Sequence, residues 1–124
     1  MNVLLDTDIA IEIQRARDQS VLSQWAELVG SRAGILCSPV VVAEIWAGAR
    51  QQEHQLIANF FRSVNCVAAD RETGQIAGAF LNRYARSHSL EVPDALIAAA
   101  AIQYQAALWT RNRKHYPMPQ LTFY

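Results

Sequence analysis

The sequence is short of lysine, of cysteine and of long apolar runs. Lys114 is the only lysine, and the other basic residues are arginines. Eleven basic residues balance eleven acidic ones, so the formal charge is zero and the pI is near 6.8. A protein that grips long nucleic acid by bulk charge is basic, so that class is excluded, and any nucleic-acid contact must be local or draw its charge from a partner. The two cysteines, Cys37 and Cys66, stand at no metal-like spacing. That argues against a structural zinc site, and two buried thiols in a reducing cytoplasm are expected. The longest apolar run, Ala95 to Ile102, falls far short of the ~20 residues a membrane helix needs. Asp6 interrupts the first apolar run too early for a signal sequence, so no targeting segment is expected.

What is present is core material. The chain is 52% hydrophobic and 18% charged, enough apolar surface for one compact domain over residues 1–124. No repeat, linker or low-complexity segment divides it. Short apolar runs alternate with helical patterns, the signature of a parallel α/β sheet. Five short strands are expected, at Val3–Leu5, Gly34–Cys37, Cys66–Ala68, Ala107–Trp109 and Leu121–Tyr124, the last suiting an edge. Helices are predicted over Ile9–Arg15, Asp18–Val29, Gln51–Val64 and Asp70–Ser87. Two more begin at Ser38-Pro39 and at Pro93, because proline suits the first turn of a helix.

Four acids sit where an apolar pattern leaves no place for them. Asp6 closes the first strand, and Asp8 opens the next helix as a natural N-cap. Glu44 lies in the middle of "VVVAEIWAGA", a helix with almost no other polar residue and so predicted to be buried nearly all round; a solvent-facing glutamate is the alternative. Asp94 heads a stripe of Ile97, Ala98, Ala101 and Ile102. The helix dipole accounts for an acid at a helix start, but not for one on the inward face. Buried carboxylates each cost several kcal/mol when unpaired, and several together repel one another. A hard divalent cation, Mg²⁺ or Mn²⁺, removes both penalties.

The stretch "TRNRKHY" after the fourth strand is the densest basic patch. Standing alone it reads as a solvated loop. Beside an acidic site, Asn112 is placed to bond a metal-bound water or a phosphate, and Arg111, Arg113 and Lys114 are placed to meet an RNA backbone. None of His54, His88 and His115 forms an obvious pair.

The ordered set "LLDTD", "SPVVVAEIWAGA", "PDALIAAAAI" and "ALWTRNRKHYP" resembles the PIN-domain ribonucleases, and within them the VapC toxins of toxin–antitoxin pairs. The resemblance runs the length of the chain and implies a three-layer α/β/α fold around a mainly parallel sheet. It implies an Mg²⁺ or Mn²⁺ site and endonucleolytic cleavage of RNA to a 5′-phosphate and a 3′-hydroxyl. Asp6, Glu44 and Asp94 match the family's invariant acids, Asp8 the second polar position of the opening, and Thr110 the supporting threonine. Asn112 stands where the family's fourth acid falls, which takes one negative charge from a second metal position. The resemblance further implies a cognate antitoxin whose tail wraps a groove between the early helices, with Trp25, Trp46, Phe60 and Phe61 as candidate groove residues or plain core. It also implies a homodimer, and contact with operator DNA only through the antitoxin. Two other readings compete. A D-x-D phosphatase shares the opening letters, but no acid follows Lys114 to complete its motif. A PIN scaffold kept for binding alone draws support from Asn112.

Overall fold

A computed structural model describes all 124 residues. Strand β1 (Asn2–Leu5) leads into helices α1 (Thr7–Arg15) and α2 (Gln19–Val29), and β2 (Gly34–Cys37) into α3 (Pro39–Ala47). A 3₁₀ turn (Gln51–Glu53) precedes α4 (His54–Arg62) and the short β3 (Asn65–Cys66). Helices α5 (Arg71–His88) and α6 (Val92–Gln103) then return the chain to β4 (Ala106–Trp109).

The strands pair in the order β3-β2-β1-β4, all parallel. Val3, Leu4 and Leu5 are fully buried, as a central strand covered on both faces should be. Helices α1, α3 and α4 pack on one another, whereas α5 packs along α6 and α6 on β4. Parallel crossovers are right-handed. Those running outward from β1 and the one returning across it therefore place the two helix sets on opposite faces, giving the expected three layers. Alanines at 95 and 98–101 of α6 are all buried and carry no bulk, so that helix can lie close against its neighbours.

Local chemistry sets the boundaries. Ser38 Oγ accepts from the Val40 amide and Pro39 fills the first turn of α3. Asp18 caps α2, and Asp70 caps α5 through the Thr73 amide. Helix α1 begins two residues before its expected start because Asp6, rather than Asp8, is its N-cap.

Three expectations are corrected. The sheet has four strands rather than five: Leu121–Tyr124 contributes a single parallel bridge, Phe123 to Leu108, because Pro117 and Pro119 leave little chain able to join the ladder. Helix α3 is not buried all round. Only Val41 and Ile45 are covered, and the face bearing Glu44 and Trp46 is open. Cys66 is exposed, because β3 is a two-residue edge strand. Its register neighbour Cys37 is buried, and burial together with the adjacent Cys66 thiol pushes the Cys37 thiol up to about 12. A thiol-reactive aromatic disulfide should therefore titrate one cysteine rapidly in the native protein and the second only on unfolding. The Cys66→Ser variant should show no rapid phase.

Candidate metal centre

The sheet changes direction at β1: the chain winds outward through β2 and β3, then crosses back to lay β4 on the other side of β1. Open α/β sheets bind ligands in the crevice at such a switch point, beyond the carboxyl ends of the strands. Asp6 follows β1 and Thr110 follows β4, and both are buried.

Asp6 is 7% exposed, and its carboxylate accepts three hydrogen bonds. Oδ1 accepts from the Thr7 amide at 2.8 Å; Oδ2 accepts from Thr110 Oγ1 at 2.8 Å and from the Tyr116 hydroxyl at 2.9 Å. The Asp6 amide in turn donates to the Trp109 carbonyl at 2.9 Å. One residue thus ties the end of β1, the start of α1 and the segment after β4.

Asp8 fixes the loop that leaves β4. Its Oδ1 accepts from the Ile9 amide, and its Oδ2 accepts from the Arg111 amide at 2.9 Å and from Asn112 Nδ2 at 3.1 Å. Thr110 Oγ1 also accepts from the Asn112 amide at 3.0 Å, which completes the loop's attachment. Asn112 spends its amide on Asp8 rather than facing the crevice. An aspartate at 112 would bring a second carboxylate against Asp8, so the neutral side chain suits this contact.

Asp94 lies in the first turn of α6, half-buried, with Oδ1 3.4 Å from the Tyr116 hydroxyl and Oδ2 3.9 Å from His115 Nδ1. Glu44 reaches over from α3 and accepts from Thr7 Oγ1 at 2.7 Å. Burial, and then the charge of Asp6, hold the Asp94 carboxyl above the usual range, with Glu44 adding to the shift and His115 opposing it. Burial and then Asp6 raise Asp8 in the same way, against the pull of its bond from the Arg111 amide.

Asp6 and Asp94 therefore share one hydroxyl, and Glu44 stands one step further out, coupled to Asp94 through space and held by Thr7. No three Asp, Glu, His or Cys side chains close into a ready-made ion cage. The donor set nonetheless fits a hard cation. Asp6 and Glu44 both act through space on Asp94 and Asp6 acts on Asp8, all donors are oxygen, and no lysine or arginine forms an ion pair with Asp6, Asp8, Glu44 or Asp94.

The basic patch divides. Arg111 turns onto Glu12 and Asp18 at 3.3 and 3.1 Å, and Arg17 closes on Glu12 at 2.8 Å. Arg113 lies over the Phe123 ring and donates to the Tyr124 carbonyl. Only Lys114 of the three is exposed without an ion pair or hydrogen bond to the protein. Sequence reasoning missed Tyr116, Thr7 and Glu12. Tyr116 sits past the last motif in a proline-broken tail, where no periodicity marks an inward side chain. Glu12 alone left a signal, one helical turn after Asp8.

The PIN domain family matches residues 3–120. The chain belongs to that family of α/β domains. Over 116 residues it is 34% identical to Ribonuclease VapC19 of Mycobacterium tuberculosis, with 93% of this chain and 92% of the relative aligned. Among solved structures, VapBC2 from Rickettsia felis, bound to a DNA fragment from its promoter, superposes with a TM-score of 0.84 at 23% identity, covering 100% of this chain and 98% of that one. VapBC-1 from nontypeable Haemophilus influenzae does so at 0.83 and 21% identity, covering 100% and 97%.

Because Asp94 is held above the usual carboxylate range, its charge destabilises the metal-free fold between the ordinary carboxylate value and the raised one, and above it; the strain is relieved as pH falls through the raised value. Asp94→Asn should therefore raise the metal-free melting temperature at neutral pH. The gain over wild type should shrink as the pH approaches the ordinary carboxylate range. Calorimetry across that range checks both.

Proposed function

We propose that this chain is a metal-dependent endoribonuclease and the toxin of a toxin–antitoxin pair. The observation that carries the reading is the Asp6–Asp94 pair at the switch point, where no lysine or arginine forms an ion pair and only His115, 3.9 Å from Asp94, opposes the repulsion. Asp6 and Asp94 hold Mg²⁺ or Mn²⁺, with Glu44 joining directly or through water. When bound, the ion supplies Lewis acidity at a phosphodiester and lowers the pKa of an attacking water.

The protein's own residues then orient and move protons. Thr7 holds Glu44 at the mouth of the crevice, where its carboxylate can accept a proton from the water. Thr110 and Tyr116 fix Asp6, and Asp8 with Asn112 fixes the loop after β4. A cavity of about 310 Å³, lined by His88, Ser89, Leu90, Glu91, Asp94 and His115, opens beside Asp94 and offers room for a nucleotide next to the acids. With Arg111 committed to Glu12 and Asp18, Lys114 is the first candidate for phosphate contact. Local grip suits a substrate recognised by the shape of an exposed RNA site. A non-catalytic scaffold drew on Asn112 in place of an acid; the bond from Asn112 to Asp8 gives that residue a structural use in the loop after β4.

The partner is a cognate antitoxin, and a groove between α1, α3 and α4 supports it. Ile11, Ile45, Leu56 and Ile57 line this groove and Glu44 stands at its rim, so a chain lying there reaches the acids. Leu56 is 54% exposed and lines the groove with three isoleucines, so a partner chain would find apolar surface there. The four expected aromatics do not line it; Trp25 packs on Phe60, and Trp46 on His54. No helix is long and apolar enough to cross a membrane. A cytoplasmic homodimer that meets operator DNA through the antitoxin completes the proposal.

Purified protein with Mg²⁺ or Mn²⁺ should cut RNA, leaving 5′-phosphate ends. A chelator, Asp6→Asn or Asp94→Asn should abolish cutting while antitoxin binding persists. Cutting that survives in EDTA, or in both variants, overturns the reading. Leu56→Asp should weaken antitoxin binding at least tenfold by calorimetry and leave RNA cleavage within about twofold of wild type.

A further inference from the structure

The metal-centre acids are held by a residue that belongs to no acidic motif. Tyr116 follows the short turn Arg113–His115 and is 3% exposed, with Met118 close behind at 2%. Its amide donates to the Arg113 carbonyl and that of His115 to the Asn112 carbonyl, both at 2.9 Å, so the ring's entry into the core is set by the backbone. The hydroxyl arrives between two carboxylates of like charge, 2.9 Å from Asp6 Oδ2 and 3.4 Å from Asp94 Oδ1.

A phenol has one proton and donates to one acceptor at a time, and the shorter distance assigns it to Asp6. Thr110 donates to that same Oδ2, so both lone pairs of Oδ2 are occupied. Oδ1 accepts only from the Thr7 amide and keeps one lone pair. Resting on the metal-bound reading above, we propose that Tyr116 is a positioning residue. It fixes Asp6 through its one donated bond, stands between Asp6 and Asp94, and leaves Asp6 Oδ1 as the oxygen offered to a divalent cation.

Partners behind a metal ligand typically contribute a factor of about 10–100 in metal affinity. Tyr116→Phe removes one oxygen and keeps the ring. In the full chain, Mn²⁺ binding followed by electron paramagnetic resonance and by calorimetry should weaken about tenfold or more. The metal-free melting temperature should stay close to wild type, and at saturating Mn²⁺ the KM for RNA should be unchanged. A purely structural role predicts the opposite pattern, a lowered metal-free melting temperature with equal Mn²⁺ affinity, and that result overturns the proposal. If wild type itself binds no Mn²⁺, the metal reading fails and takes this one with it; if wild type binds and Tyr116→Phe binds equally, only the role of Tyr116 fails. Should Tyr116→Phe not fold, 3-fluorotyrosine at position 116 keeps the hydroxyl. Its fluorine resonance should shift on Mg²⁺ addition, and a resonance that does not move overturns the inference.

Discussion

The buried carboxylate of Asp6 is the constraint on which the rest of the structure turns. A charge removed from water costs several kcal/mol unless hydrogen bonds replace its hydration. Here three donors do so, from α1, from the end of β4 and from the tail beyond it. Those bonds stitch together segments a hundred residues apart in sequence, so the group that is costliest to bury also fixes the relation between the first and last strands. The structure is tightest around its least comfortable residue.

The position follows from topology. Because β4 returns to the far side of β1, the carboxyl ends of two adjacent central strands open into one crevice. Helices α1, α3 and α6 all start near that edge, which lets Asp8, Glu44 and Asp94 approach from three directions. Burial, and then the charge of Asp6, raise Asp8 and Asp94 above the usual carboxylate range, a pattern that clusters at functional sites. The open face of α3 carries Glu44, so the groove between α1, α3 and α4 adjoins the acids, and the cavity beside Asp94 opens at them too.

Much of this was legible in the sequence. The strands at Gly34–Cys37 and Ala107–Trp109 were apolar throughout because both their faces are covered, and the Ser38-Pro39 and Asp70 starts were marked by chemistry that acts within one turn. Asp94 stood out because its neighbours on the buried stripe are all apolar. The reading of Glu44 was right about its conspicuousness and wrong about its surroundings. An apolar helix looks the same in sequence whether its outer face meets the core or waits for a partner. The edge strands failed for a related reason, since pairing length at a sheet margin depends on the neighbour and not on the segment itself.

The sequence by itself determined the alternation of strand and helix, the caps, and the set of acids out of place in an apolar pattern, because each is written in spacing of a few residues. Only the tertiary structure decided which oxygens face one another. It chose Asp6 over Asp8 as the cap, turned Arg111 and Arg113 away from the crevice, and brought the Tyr116 hydroxyl between two carboxylates. Those outcomes rest on contacts across about a hundred residues, where no local periodicity carries information and the packing of the whole chain sets the distance.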